Sequence, residues 1–434
     1  MTEHYLKNIT PDSFSGLIFG FEGIKNSAVL LNGPTGCKFY HSAISDDQLM
    51  RQDEFDPMNY EDPCCFGQPR VPCTYLDKRD YVYGSKDKLL DVMRFLRKSA
   101  NFELLAIVNS PGASLIGDDI EGIATSALSG IPIITMESPG YSQFIWEGYS
   151  EACKALIRQL MPAQAERCGK GSHGRKKVNI LGFSIFHRHY EGDLTEFTRL
   201  LKLCNIDVVC SLCCECSVDE IRSMGTADLN IVLDSVYGLD TAKLLQQNYA
   251  IPYLCAEGLP IGFHAMQDLI SRICKLLDCD DTAFLIESEK ARARSYIHLS
   301  RVNSLTGLPK GARFAVHGTS SQCLGYVRFL VHYFGMVADA VSPLDNGPDY
   351  NALCRILEEY GMRQALEKDI LETDAEIVFS DGNIIAMLKA KNLQFSGVEI
   401  NLPTLGYTDV VPKTHLGLSG GLLLCEQVIN GLRY

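Results

Sequence analysis

The chain has 434 residues, 46% of them hydrophobic and 21% charged, too long for one ordinary core and suited to two or three domains. Forty basic against 53 acidic side chains give a net charge of −13 with no basic run beyond Arg175-Lys176-Lys177, so nucleic acid is excluded as an expected partner. Apolar stretches break well short of the about 18 residues a membrane span needs, and MTEHYLKNITPDSF lacks the pattern of a secretory signal; a cytoplasmic protein with no membrane partner is expected.

In chain order, short runs rich in β-branched residues alternate with helix-length amphipathic segments. Leu104 to Val108 leads to Asp118 through Ser129. Ile131 to Met136 precedes a Gly-rich turn and Tyr149 to Leu160. Val178 to Phe183 is followed by Leu194 to Cys204, and Ile206 to Cys210 by Val218 to Met224. Asn230 to Leu233 precedes Thr241 to Tyr249. Arg313 to His317 leads to Leu324 through Gly335, and Ala375 to Phe379 leads to Ile384 through Lys391. Such alternation predicts α/β architecture with parallel sheets. The polar, Gly-rich stretch Ala165 to Lys177 reads as a linker, and a second break falls at Ser304 to Gly311. Three Rossmann-like domains follow, over 1–165, 176–303 and 304–434, arranged around a central cleft. Ligands of open α/β sheets sit beyond the carboxyl ends of the strands, which directs attention to Asn109–Ser114, Glu137–Gly148, Ser184–Gly192, Ser211–Ser217 and Gly318–Cys323.

Seventeen cysteines are the anomaly of the composition. In a chain without an export signal they point to metal or redox chemistry rather than disulfides, although isolated ones such as Cys153, Cys274 and Cys425 read as small buried apolar residues. Gly33-Pro-Thr-Gly-Cys37 follows the apolar run Ala28–Leu31. Cys37, preceded by Gly36, either lies beside backbone N–H groups that stabilise a thiolate or an iron–sulfur cluster, or packs in a tight turn. Cys64, Cys65 and Cys73 either join Cys37 on a cluster or belong to an ordered Pro-rich loop. In Cys210-Ser-Leu-Cys-Cys-Glu-Cys216, Cys210 is expected in the core. Cys213, Cys214 and Cys216 are candidate ligands of a cluster or soft metal, with no second tight pair nearby to complete a zinc site.

His187-Arg-His-Tyr-Glu191 lies beyond a predicted strand, where a His/Arg pair can donate protons or bind carboxylates; a solvated loop is the alternative. His415 precedes Gly417, Gly420 and Gly421 at the start of a predicted helix. No G-x-x-x-x-G-K-[ST] segment occurs, so ATP binding through a P-loop is not expected of this chain.

Taken together, the motifs resemble those of the nitrogenase component 1 family, which includes nitrogenase molybdenum–iron protein subunits, cofactor-assembly scaffolds and catalytic subunits of light-independent protochlorophyllide reductase. The matching features are Gly33–Cys37, Asp80-Tyr-Val-Tyr-Gly84, Leu115-Ile-Gly-Asp-Asp119 and Glu137-Ser-Pro-Gly-Tyr141 with Gly148-Tyr149. Val178-Asn-Ile-Leu-Gly182, Leu229-Asn-Ile-Val232 with Tyr249-Ala-Ile-Pro252, Pro260-Ile-Gly262 and Leu416–Gly421 complete the series. The resemblance spans nearly the whole chain. It implies three Rossmann-like domains around a cavity, pairing with a homologous or identical subunit in a dimer or tetramer, and an iron–sulfur cluster near the subunit interface. It also implies a separate ATP-hydrolysing Fe protein as electron donor.

Of the three cysteines the family commonly places on that cluster, Cys37 matches the middle one. Asp12 stands at the first place, either as a carboxylate ligand or as a helix N-cap, and Pro111 stands at the third and cannot ligate. The implied cluster, [4Fe-4S] or larger, therefore needs Cys64, Cys65, Cys73 or a partner chain. The places of the molybdenum–iron cofactor ligands fall near Ala242 and Leu416, and Tyr149 replaces a histidine of the first-domain motif. These departures argue against dinitrogen reduction and leave the cavity for a second metallocluster or a tetrapyrrole. The expectation is a nitrogenase-like iron–sulfur oxidoreductase with His187, His189 and His415 as candidate proton donors. The rivals are a metallocluster assembly or carrier scaffold, favoured by the Cys210–Cys216 loop, and a subunit that only supports a catalytic partner.

Overall fold

The computed structural model describes residues 11–34, 36–37, 71–99, 101–128, 130–138, 143–162, 174–406 and 409–432. Cys64 and Cys65 lie outside them. In the first stretch come helix α1 (Ser13–Glu22), strand β1 (Ser27–Asn32), helix α2 (Lys86–Ser99), strand β2 (Leu104–Asn109), helix α3 (Ile120–Ala127), strand β3 (Ile133–Glu137) and helix α4 (Ile145–Leu160). The strands form a parallel sheet in the order β1-β2-β3. β1 and β2 are buried along their whole length, which explains why they read as continuous apolar runs rather than alternating ones. Leu89, Met93 and Leu96 of α2 and Ile120 and Ala124 of α3 pack with Leu30, Leu105 and Ile107.

Helix α1 is buried at every one of its ten residues, as expected of a helix whose apolar residues are spread over all its faces. Leu17, Ile18, Phe19 and Phe21 are each 2% exposed or less, and burying each contributes roughly 1.5–3 kcal/mol. It packs against α4 through two glycines. A Cβ at Gly16 would lie 2.0 Å from the Ile145 carbonyl oxygen, and one at Gly148 would lie 1.8 Å from the Ser13 carbonyl oxygen. The two backbones meet, and any side chain at either place would force them apart.

Next follow β4 (Lys176–Leu181), α5 (Tyr190–Leu203), β5 (Ile206–Ser211), β6 (Leu229–Val232), α6 (Ser235–Tyr249), β7 (Tyr253–Cys255), α7 (Gly262–Leu277) and α8 (Thr282–Thr306). Their sheet runs β5-β4-β6-β7, with β4, β6 and β7 parallel. The last series is β8 (Arg313–Gly318), α9 (Ser320–Phe334), β9 (Val337–Pro343), α10 (Tyr350–Glu359), β10 (Ile377–Asp381), α11 (Gly382–Ala390), β11 (Ser396–Asn401) and α12 (Gly417–Gly431). It forms a parallel sheet in the order β11-β10-β8-β9. No helix among the described residues is long and apolar enough to cross a membrane.

By contacts the chain divides into two compact units. One takes in Thr10–Cys168 and also Cys210–Gly225; the other takes in Gly169–Val209 and Thr226–Tyr434. The larger unit holds the middle and last sheets together, and the Cys210–Cys216 loop belongs to the smaller. Within the larger unit Gly182, at φ +75, ends β4 against the start of α6: a Cβ there would stand 2.3 Å from the Asp234 carbonyl oxygen.

Substituting Gly148→Ala is expected to destabilise the chain by about 3 kcal/mol or more, because backbone rather than a movable side chain occupies the space. Thermal unfolding of the variant checks this, and a midpoint equal to that of the wild type would refute the packing argument.

Candidate functional site

Chemistry-bearing side chains gather in both units. In the smaller unit the carboxyl ends of the three strands are joined by amides. Asn32 Nδ2 donates to Asn109 Oδ1 at 2.9 Å, and Asn109 Nδ2 donates to Glu137 Oε2 at 2.8 Å. These residues face one another because the strands are parallel and in register. Just beyond β1 the chain turns at Gly33-Pro34. Cys73 is brought back alongside by a bridge to Leu31; it is fully buried, and its Sγ lies 3.1 Å from the Gly33 carbonyl and 3.9 Å from that of Pro34. The N–H of Cys37 donates to the same Pro34 carbonyl at 3.2 Å. Cys37 is half-buried, and a Cβ on the exposed Gly36 would meet nothing within 4 Å. The Tyr75 N–H donates to Cys73 Sγ at 3.4 Å. Burial, then the neighbouring Cys37 and Cys73, push the Tyr81 hydroxyl pKa up.

Around these thiols the family motifs have structural duties. Asp12 caps α1, its Oδ1 accepting from the Ser15 N–H at 3.1 Å. Pro111 is the first residue of the short helix Pro111–Ser114, whose Ser110 cap accepts from Ala113 N–H. Asp118 accepts from the N–H and hydroxyl of Ser85, pinning the turn at Gly84. Beside them stand apolar side chains in water: Val82 is 72% exposed, Tyr83 82% and Leu115 88%.

The second thiol group faces inward. Cys210, Cys213, Cys214 and Cys216 are each 1% exposed or less. Their loop is held by the Tyr149 hydroxyl, which donates to the Leu212 carbonyl at 3.1 Å, and by the Lys25 N–H on the Cys216 carbonyl at 2.7 Å. Cys213 Sγ lies 3.5 Å from Cys153 Sγ. Burial, followed by the neighbouring thiols, drives the Cys210 and Cys213 pKa values far up. The structure thus sets Tyr149, Cys213, Cys214 and Cys216 among packed side chains, and Cys153 proves to be their neighbour. Among the described residues no trio of His, Cys, Asp or Glu is arranged to hold a metal ion.

In the larger unit His187 follows β4. Its Nδ1 stands 3.1 Å from the Ser184 amide nitrogen and 3.3 Å from the Ser184 carbonyl oxygen. Its Nε2 stands 3.7 Å from Asp234 Oδ2 with no hydrogen-bond partner. Phe183 stacks on the ring at 4.6 Å and Tyr237 meets its edge. Asp234 is fully buried, caps α6 through the Val236 N–H and receives the Thr319 hydroxyl at 3.3 Å. Burial, then Asp234 and Asp345, raise the Tyr237 pKa well above its usual value. Asp234 and Tyr237 escaped the sequence reading, although Asp234 follows a strand end and was open to the same rule that selected His187.

His189 and His415 have other surroundings. His189 Nδ1 lies 3.0 Å from Asp409 Oδ2, which Arg188 Nε approaches at 3.3 Å, while Lys413 Nζ reaches Asp409 Oδ1 at 2.7 Å. Burial pushes the Asp409 carboxyl up, but His189, Lys413 and Arg188 outweigh it and hold the group well below the carboxylate range. His415 is buried at the edge of the His189 ring, with Tyr326 Oη 2.6 Å from Nδ1 and Gln427 Oε1 3.0 Å from Nε2. Both of its nitrogens are engaged. The structure therefore gives the three histidines different surroundings: Nε2 of His187 and Nε2 of His189 are both buried without a hydrogen-bond partner, His189 Nδ1 faces Asp409, and both His415 nitrogens are engaged.

The family described as nitrogenase component 1 type oxidoreductase matches residues 13–433. NifE of Clostridium pasteurianum, a nitrogenase iron-molybdenum cofactor biosynthesis protein, is 25% identical over 256 residues, 57% of this chain and 49% of that protein. One of the subunits of light-independent protochlorophyllide reductase from Rhodopseudomonas palustris (strain TIE-1) is 24% identical over 317 residues, 71% of this chain and 57% of that protein. The chain thus spans about half the length of the relatives it matches. The solved structure of nitrogenase Cp1 at pH 6.5 superposes with a TM-score of 0.76 at 17% identity, over 98% of this chain and 92% of that one; it establishes the shared fold.

Burial, then the charge of His189, hold the His415 pKa well below the usual histidine value. The unfolded chain then takes up that proton first, so this group costs stability as pH falls below about 6.5, at up to ~1.4 kcal/mol per pH unit. His415→Gln is expected to flatten the decline of the thermal midpoint between about pH 6.5 and 5. An undiminished slope would show that this ring does not titrate on unfolding.

Proposed function

This chain belongs to the nitrogenase component 1 type oxidoreductase family, and we propose that it serves there as an iron–sulfur reductase component. In this reading it takes electrons from an ATP-dependent Fe protein-type partner and reduces a substrate other than dinitrogen, in the cytoplasm. The observation that carries it is that the Cys37 backbone N–H and the Cys73 thiol both reach the Pro34 carbonyl, at 3.2 and 3.9 Å. Cys37 sits in the Gly-flanked turn after β1, with open space at Gly36, and Cys73 is buried alongside through its bridge to Leu31. That donor set fits a cluster completed by ligands from a second component 1 subunit or from Cys64 and Cys65. Bound there, the cluster would supply low-potential one-electron steps. The exposed Val82, Tyr83 and Leu115 beside it are the kind of apolar rim a partner covers.

For the proton, His187 is the best-placed donor. Its Nε2 is buried with no hydrogen-bond partner and stands 3.7 Å from the Asp234 carboxylate. His415, with both nitrogens engaged, positions its neighbours instead. Ala242 and Leu416, at the places of the molybdenum–iron cofactor ligands, are buried apolar residues and favour a different substrate, with a tetrapyrrole as the candidate. The likeness to NifE supports a second reading, assembly or carriage of a metallocluster without turnover. The burial of Cys210 and Cys213 weighs against it, because transfer needs accessible, exchangeable ligands.

Anaerobic preparations are expected to carry iron and acid-labile sulfide. Cys37→Ser and Cys73→Ser should each lose most of both, whereas Cys214→Ser should lose neither. With an Fe protein, ATP and a tetrapyrrole substrate, His187→Gln should lower turnover by about a hundredfold or more at unchanged iron content. Colourless protein lacking sulfide would sink the reductase reading, and cluster transfer to an apo-enzyme without turnover would establish the assembly reading instead.

A further inference from the structure

The chain that joins α8 to β8 is tied to the end of α9, the Gly311 N–H donating to the Gly335 carbonyl at 2.9 Å. There Tyr296 and Asn303 of α8, Lys310 of the connection, and Tyr333 and Phe334 of α9 line a cavity of about 720 Å³. The redox reading makes no use of it. We propose that this cavity binds a small aromatic carboxylate, its ring against Tyr296 and Tyr333 and its negative charge on Lys310.

The lining offers both packed and unpartnered rings. Tyr333 stacks on Phe329 at 5.2 Å with the planes 15° apart, and its hydroxyl lies 2.5 Å from Ser295 Oγ. Phe334 meets Tyr333 edge-on at 5.4 Å and is buried. Tyr296, by contrast, is 68% exposed and has no ring contact among the described residues. An exposed tyrosine beside a fixed aromatic wall gives a planar ligand a face to stack on. Offset and edge-on aromatic pairs are favourable beyond the area they bury.

Charge places the other end of the ligand. The lining carries two permanent cations, Arg292 and Lys310, against one carboxylate, Glu289. Glu289 Oε1 accepts from Arg292 Nη1 at 2.7 Å, so these two charges offset each other. Lys310 has no ion-pair or hydrogen-bond partner among the described residues. Its stem is seated on the end of α9, with Cγ 3.4 Å from where a Cβ of Gly335 would stand. The neutral donors of the α8 wall turn back on their own chain: Ser300 and Ser304 donate to the Ile297 and Arg301 carbonyls, and Asn303 Nδ2 donates to that of Gly307. The unpaired ammonium is left to meet an anionic group, and one surplus charge suits a monoanion. The volume lies within the range of small-molecule pockets, roughly 300–1,000 Å³.

Calorimetric titration of the full chain with phenylacetate, indoleacetate and naphthoate, each to about 10 mM, tests the site directly. At least one should saturate. The amide of that acid, which lacks the charge, and cyclohexylacetate, which lacks the aromatic ring, should bind about fivefold more weakly or worse. Lys310→Met and Tyr296→Ala alter exposed side chains. Each should weaken binding by about threefold or more at an unchanged thermal midpoint, and either serves if the other is unstable. No saturation by any of the three acids, equal affinity for the amide or for cyclohexylacetate, or indifference to either substitution would overturn the proposal. The site requires no iron, so its failure leaves the reductase reading standing.

Discussion

One buried carboxylate organises the histidine-rich end of the larger unit. Asp193, in the first turn of α5 and 5% exposed, accepts from the Thr414 hydroxyl at 2.7 Å and from the N–H groups of His415 and Leu416 at 2.8 and 3.1 Å. One turn further on, Glu196 Oε1 takes the N–H groups of Leu418 and Ser419. Helix α12 has no side-chain cap of its own at Leu416. Its orphan N–H groups and positive end are satisfied by the carboxylates of α5. This junction fixes the backbone at His415, hence the ring edge that His415 presents to His189 and, through His189, to Asp409. Burial raises the Asp193 pKa despite these donors. The arrangement therefore depends on hydrogen bonds being present at every point where water is excluded.

Burial also sorts the cysteines. A thiol becomes a ligand as its thiolate, and burial among apolar groups and other thiols opposes ionisation. Cys210 and Cys213 lie beneath Tyr149 and beside Cys153 in just such surroundings. Cys37 keeps partial exposure next to a glycine with open space around it. Clustering in the sequence made the first group the more conspicuous, yet Cys37 is the more accessible thiol.

The sequence disclosed the architecture more fully than the site. Strand–helix alternation was legible because β1, β2 and β6 are buried on both faces and so leave unbroken apolar runs. Strands β7, β9 and β11 were not legible. β7 has three residues, Asp339 interrupts β9, and β11 begins Ser-Gly at the rim of its sheet, so none carries a clear period. His187 could be found because it follows a strand end. Asp409 could not, since its significance rests on Arg188 and His189, more than two hundred positions away, and on no local pattern. Tyr149 was singled out by a motif, but only the packing of α1 on α4 reveals why it sits beneath the thiol loop.

The choice between a resident and a travelling cluster turns on how firmly the thiols are held. Cys73 is pinned by the carbonyl of Gly33 on one side and the Tyr75 N–H on the other, and its backbone is tied to β1 through Leu31. Releasing a metal from such a group would require moving the end of a strand whose six residues are all buried. In the proposed role as a ligand, a thiol on so rigid a base would favour retention of a cluster over its release. A carrier would need its thiols on a yielding loop. The one dense thiol loop among the described residues is closed over by Tyr149 and Lys25, which favours a cluster that stays where it is bound.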